Sequence, residues 1–169
     1  MRCVEDEIVG QKTVEILSQD LPDIYDLSLL QSLHRKLFSD IYDFAGELRK
    51  VNIMKPDSEA PFAYADCIPT EARRIFDELR AKNYLASLGK NDFAQELAGL
   101  SAELNALHPF REGNGRTIRL FLILLAQHAG YVLNFGLARY DEILMADKLA
   151  FSGDSRRLVE LYGRMLMAL

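Results

Sequence analysis

His108-Pro109-Phe110-Arg111-Glu112-Gly113-Asn114-Gly115-Arg116, with Arg119 one helical turn further on, is the stretch that decides how this chain is read. It lies between two apolar helical patterns. Upstream, Phe93, Leu97, Leu100, Leu104 and Leu107 recur at three- and four-residue intervals, the spacing of one helix face. Pro109 has no backbone N–H and pushes His108 out of the α region, so that helix is expected to end near Leu107. Downstream, Ile118 to Ala126 is apolar almost all round, which suits a helix buried at the centre of a bundle. The stretch between them is a loop held by two packed helices.

The loop has a chemical reading. Gly113-Asn114-Gly115 can take backbone conformations closed to bulkier residues. Its N–H groups then point into one concavity at the start of the next helix, which is an anion site with phosphate as the usual anion. Arg116 and Arg119 sit three apart, share a helix face and can reach one phosphate chain. Glu112 is a carboxylate beside that polyphosphate, where Mg²⁺ commonly bridges protein and phosphate oxygens. His108 can accept a proton from an attacking hydroxyl. Phe110 is expected to point into the core and pin the loop.

These residues resemble, position for position, the signature of Fic-domain proteins, HxFx[D/E]GNGR, and Arg119 falls on that family's second arginine. The looser likeness runs from about residue 30 to about residue 135. The resemblance implies an all-α, Fic-type helical bundle with one small β-hairpin flap, a single Fic domain over 1–169. It implies transfer of AMP from ATP to a hydroxyl of a target protein. His108 then corresponds to the base that deprotonates a Ser, Thr or Tyr, and Glu112 to the Mg²⁺ ligand. Gly113, Asn114 and Gly115 correspond to the anion hole, Arg116 and Arg119 to the holders of the β- and γ-phosphates, and Phe110 to the anchor of this nucleotide site. The related Doc type carries lysine where this chain has Gly115, so the glycine favours nucleotidyl transfer over phosphate transfer.

Composition sets bounds around this reading. The chain has 169 residues and no Trp, enough for one domain with a real core. Its net charge of −5 speaks against a general nucleic-acid binder. No apolar run approaches the ~20 residues of a membrane span. The acidic start, Met1 to Glu7, has no signal-peptide character. Cys3 and Cys67 suggest neither a disulfide scaffold nor a metal site, and a reducing, cytoplasmic setting fits best.

Taken in order, residues 4–18 read as a short helix. Asp26 or Ser28 caps a second that runs to about Ile41 with Leu29, Leu30, Leu33, Leu37 and Phe38 inward. His34, on that helix, reads as a surface or half-buried histidine. Lys50 to Lys55 alternates with period two and Pro56-Asp57-Ser58-Glu59 is turn chemistry, so residues 50–64 are expected to form a hairpin with Phe62 turned inward. By resemblance this is the flap on which the target lies as an added strand, with Val51, Asn52, Ile53, Met54 and Lys55 as its docking edge. A helix from Asp66 or Thr70 to about Ala86 follows, with Arg73, Arg74, Arg80 and Lys82 on its solvated face. Asn91 or Asp92 caps the helix that leads into the loop. Beyond Gly130, helices are expected at Tyr140 to Ala150 and Leu158 to Met167, with Met145, Met165 and Met167 as core filler.

Many Fic proteins carry an inhibitory helix with the pattern [S/T]xxxE[G/N], whose glutamate pairs with the second arginine. No Ser or Thr in this chain has Glu four residues later. The expectation is a bacterial toxin or effector held by a separate small antitoxin, acting in the cytoplasm or delivered into a host cell. Transfer of UMP, phosphocholine or phosphate stays open as an alternative, as does a non-catalytic nucleotide- or antitoxin-binding module.

Overall fold

The computed structural model describes the backbone of residues 2–54 and 61–169 and the side chains from Val4 onward within them. Lys55, the expected turn 56–59 and Ala60 lie outside the described residues. Seven α-helices are present among those described: α1 (Arg2–Leu17), α2 (Leu27–Phe38), α3 (Ile68–Ala81), α4 (Lys90–Leu107), α5 (Asn114–His128), α6 (Tyr140–Phe151) and α7 (Arg156–Met165).

The central helix is α5. Its apolar run leaves almost no face for water: Ile118, Leu120, Phe121, Leu122, Leu124, Leu125 and Ala126 are all buried. It packs against α2 on one side and α4 on another. α2 contributes Leu30, Leu33, Leu37 and Phe38, and α4 contributes Phe93, Leu97, Leu100, Leu104 and Leu107. Each such side chain stabilises the fold by ~1.5–3 kcal/mol before entropy is counted. The Tyr25 hydroxyl donates to the Leu124 carbonyl at 3.0 Å and ties the start of α2 to α5. The loop 108–113 is thus fixed at both ends by the most buried helices in the molecule.

Caps and ends follow local chemistry. Asp26 caps α2 by accepting from the Leu29 N–H at 2.8 Å, as its side-chain type predicts. That helix stops at Phe38, earlier than expected, and residues 39–45 form successive turns. α4 starts at Lys90 on a Gly89 N-cap; neither Asn91 nor Asp92 fills that position. α3 ends at Ala81, short of the expected Ala86, because Asn83, Tyr84 and Leu85 all take positive φ.

Regular strands occur elsewhere than expected. Gly130, at φ +86°, closes α5 and sends the chain into β1 (Tyr131–Leu133). β1 pairs antiparallel with β2 (Leu166–Ala168), in register Tyr131 with Ala168, Val132 with Met167 and Leu133 with Leu166. The last helix therefore ends at Met165, and the residues beyond it are strand. The segment 50–64, expected as a hairpin, contains among the described residues a single antiparallel bridge, Met54 with Pro61. Met165 is core filler as expected, whereas Met145 and Met167 are exposed.

Candidate active site

The loop is braced from within. Asn114, the first residue of α5, is buried, and its side chain closes a ring with Phe110: the Phe110 N–H donates to Oδ1 at 2.9 Å, and Nδ2 donates to the Phe110 carbonyl at 2.8 Å. The amide of Asn114 thus shapes the loop and does not project from it. Phe110 is fully buried and stacks on the His34 ring at 3.9 Å. Gly113 is the left-handed glycine of the loop, at φ +77°, and a β-carbon there would meet the Phe38 ring at 2.6 Å. Gly115 is helical, and its lack of a side chain serves space: a β-carbon would come within 3.3 Å of Arg119 Nη1.

His108 caps α4 in a left-handed conformation, φ 45° and ψ 60°, after its N–H makes the last helical bond to Leu104 at 3.0 Å. Its ring lies on that of Phe62, 3.8 Å between centroids and 13° between planes. Phe62 turns inward as expected, and the surface it meets is the imidazole.

The charged residues line the same end of α5. Glu112 is exposed, and its carboxylate accepts from the Gly113 N–H at 3.2 Å. The amides of the first turn of α5 have no acceptor within the helix and sit at its positive end. Arg116 lies over the Phe38 ring at 4.7 Å and pairs with Glu5 of α1 at 2.6 Å. The Tyr42 hydroxyl donates to the same Glu5 carboxylate at 2.9 Å. Arg119 is half-buried beside Gly115 and, among the described residues, makes no ion pair. Burial pushes its guanidinium below the usual arginine value, and the Tyr140 hydroxyl and Asp147 carboxylate pull the other way.

Three supports of the loop were not legible as such. Arg49 is almost wholly buried, and burial lowers its affinity for its proton. Glu5 is far from the loop in sequence, and no spacing rule joins it to Arg116. His34 is the third. It is fully buried, and the Gly46 N–H donates to its Nδ1 at 2.8 Å. A backbone amide only donates, so Nδ1 carries the lone pair and Nε2–H donates to the Glu112 carbonyl at 2.9 Å. The signal available was its place in the apolar stripe Leu30, Leu33, Leu37, Phe38, which marks a buried residue.

His34 makes the loop sensitive to acid. Burial lowers its pKa, the bond to the Glu112 carbonyl opposes that, and the Arg116 charge adds to the lowering. A histidine held neutral in the fold contributes stability fully above its unfolded value of about 6.5. That contribution is lost as pH falls below this value and through the folded one. Urea unfolding from pH 7.5 to 5 should therefore show stability falling with pH. His34→Leu should reduce the slope, whatever it does to absolute stability; an unaltered slope would assign the acid sensitivity to other groups.

Two surface hollows lie apart from this site. One, between α3 and α4, is about 200 Å³; the other, about 340 Å³, is lined by Tyr25, Phe76 and Tyr84. Neither includes a loop residue.

Similarity to known proteins falls on this same region. The Fic/DOC family model matches residues 24–126, more than half of the chain. The chain is 36% identical over 163 residues to protein adenylyltransferase VbhT of Bartonella schoenbuchensis, covering 96% of this chain and 34% of that protein. It thus spans about a third of that relative's length. It is 40% identical over 148 residues to the Sinorhizobium fredii protein named "Probable protein adenylyltransferase y4lH", covering 86% of this chain and 76% of the relative. Among solved structures, BepC of Bartonella tribocorum with bound AMPPNP superposes with a TM-score of 0.93 at 27% identity, over 98% of this chain and 85% of that one. The N-terminal Fic domain of a Bep effector of Bartonella quintana with bound ADP gives 0.95 at 26% identity, over 97% and 83%. With its loop intact, its bundle shared and most of its length matched, the chain belongs to the Fic/DOC family.

Proposed function

We propose that the chain is a protein adenylyltransferase, one Fic domain over 1–169, that moves AMP from ATP to a Ser, Thr or Tyr hydroxyl of a target protein. One observation carries the reading. A loop braced by Asn114 joins the histidine that closes α4 to the first turn of α5, which carries Arg116 and, one turn on, Arg119. The names of the relatives and the nucleotides in the related structures support it.

The division of labour follows from charge. Arg119 and Arg116 hold the β- and γ-phosphates, and the first-turn amides of α5, at Asn114 and Gly115, face the α- and β-phosphates. Glu5 pairs with the Arg116 guanidinium where it lies over Phe38, so that group is already oriented before a nucleotide arrives. Glu112 suits Mg²⁺ because the ion needs one or two carboxylates and takes its remaining ligands from phosphate and water. An exposed carboxylate at the loop is such a donor, once it leaves the Gly113 amide. When bound, Mg²⁺ neutralises phosphate charge. His108 accepts the proton of the target hydroxyl as its oxygen bonds to the α-phosphorus. The bond from that phosphorus to the α,β-bridging oxygen breaks, and pyrophosphate leaves. Val51 and Met54 are exposed apolar residues at the flap and offer, with Asn52 and Ile53, an edge on which the target segment can lie; Lys55, also expected on that edge, lies outside the described residues.

No Ser or Thr of this sequence has Glu four residues later, and among the described residues Arg119 makes no ion pair; control by a carboxylate of a separate small antitoxin is part of the proposal. The relevant setting is then a bacterial cytoplasm or a host cell; among the described residues, no helix is long and apolar enough to cross a membrane.

Incubating the chain and a bacterial lysate with ATP labelled at the α- or the γ-phosphate tests the proposal. Label is expected on protein from the α position only. Label from γ means phosphate transfer, and none from either rejects ATP as the donor and leaves UMP or phosphocholine transfer or a binding module.

A further inference from the structure

Arg49 precedes the flap and is used by none of the chemistry above. Its side chain is 2% exposed and, among the described residues, has no carboxylate partner. Its donors go to backbone carbonyls from three segments. Nε donates to His108 at 2.7 Å, Nη1 to Val51 at 2.8 Å, and Nη2 to Ala63 and, at 3.3 Å, to Leu107. Val51 and Ala63 are the two roots of the flap; Leu107 and His108 are the end of α4. Main-chain bonds run the same way, from Arg49 N–H to the Pro109 carbonyl at 2.9 Å and from Ala63 N–H to the Ala106 carbonyl at 3.0 Å. The counter-charge is the carbonyl end of α4, where the last turn has no intrahelical donors and the helix dipole is negative. A planar fork with five donors can span these acceptors, and an ammonium cannot.

His108 itself is in a conformation that a β-carbon disfavours. Such a residue stays there only when its surroundings hold it. Two contacts do so from the flap side: Arg49 on its carbonyl and Phe62 on its ring. Phe62 is in turn fixed, its N–H on the Ile53 carbonyl at 3.3 Å and its edge against Phe151 at 5.6 Å.

We infer that Arg49 and Phe62 are positioning residues for His108, which set the imidazole where it meets the target hydroxyl and tie that place to the flap presenting the target. The inference rests on His108 being the base. A staple that merely held the fold would lose stability, nucleotide affinity and rate together; positioning residues lose rate.

The test uses the full chain with Arg49→Lys, Phe62→Leu and Phe62→Tyr. It measures the maximal rate of α-label transfer into lysate protein, ATP affinity by calorimetry, thermal unfolding, and titration of the His108 ring by nitrogen NMR. Arg49→Lys should lower the maximal rate about 10²-fold, as displacement of a reacting group by an ångström does, and Phe62→Leu about tenfold. ATP affinity should stay near wild type in both. The His108 titration midpoint should move in Phe62→Leu and return, with the rate, in Phe62→Tyr. If Arg49→Lys does not fold, the two Phe62 variants decide. Wild-type rate and an unmoved midpoint in Phe62→Leu, or rate and ATP affinity falling in step, would overturn the inference. The NMR arm needs no transfer, so a base assignment refuted by an active His108→Asn enzyme is told apart from a positioning role that fails.

Discussion

His108→Asn should cut AMP transfer by about 10²- to 10⁴-fold, the contribution typical of a positioned general base, and leave ATP affinity largely intact. Asparagine is the informative replacement because of the backbone. His108 sits at φ 45°, where asparagine is among the few non-glycine residues found readily. Alanine would add conformational strain to loss of the base, and the two effects would mix. The acceptors that hold the loop, the carbonyls of Leu107, His108 and Pro109, are main-chain atoms and survive the change. What goes is the ring on Phe62 and its basic nitrogen. Transfer from α-labelled ATP and calorimetric ATP binding, measured on one preparation, separate the outcomes. Transfer within a factor of ten of wild type would remove His108 from the role of base, and lost ATP binding would mean the loop had collapsed.

The parts of the site that were legible in the sequence share a property: they are fixed by local order along the chain. Leu104 and Leu107 stand on one helix face, Pro109 ends that helix, and the apolar run from Ile118 starts the next. Those three facts place a loop between buried helices without reference to anything distant. Supports from afar had no such local sign. Arg49 stands fifty-nine residues from the His108 carbonyl it holds, and Glu5 meets Arg116 across the bundle. His34 looked ordinary because a single histidine on an apolar stripe says only that it is buried. The β1–β2 pair was missed for a related reason. Alternation at Lys50 to Lys55 is a weak period-two signal, whereas Leu166 to Ala168 reads as the tail of a helix until Gly130 and β1 bring a partner beside it.

The glycines teach the same lesson from the other side. Three small residues in a row invite one explanation, an open nest of amides. The fold divides them. Gly113 supplies a backbone turn, Asn114 a side-chain brace and Gly115 room for the guanidinium of Arg119. The proposed anion site therefore depends less on the conformation of the glycines together than on the start of α5 and on what keeps it in place.

That dependence makes Gly113→Ala the most damaging single methyl in the site. At φ +77° alanine costs ~1–2 kcal/mol relative to glycine. Its β-carbon would also stand 2.6 Å from two atoms of the Phe38 ring, a contact that real structures do not keep. The ring has little freedom to retreat: it is fully buried, with Arg116 over one face at 4.7 Å, Tyr42 stacked at 5.4 Å and His34 at 4.8 Å. Overpacking of this kind costs ~1–3 kcal/mol. For a domain of this size each kcal/mol is worth about 2–4 °C, so a drop of roughly 5–15 °C in Tm is expected. ATP affinity should fall with it, because shifting Phe38 shifts Arg116. Phe38→Leu added to Gly113→Ala should recover the clash and leave the φ cost, so the pair should be non-additive by about 1 kcal/mol or more. Differential scanning calorimetry of the four proteins measures this. Additive changes would mean that the ring does not oppose the new methyl, and that Gly113 is required for its backbone angle alone.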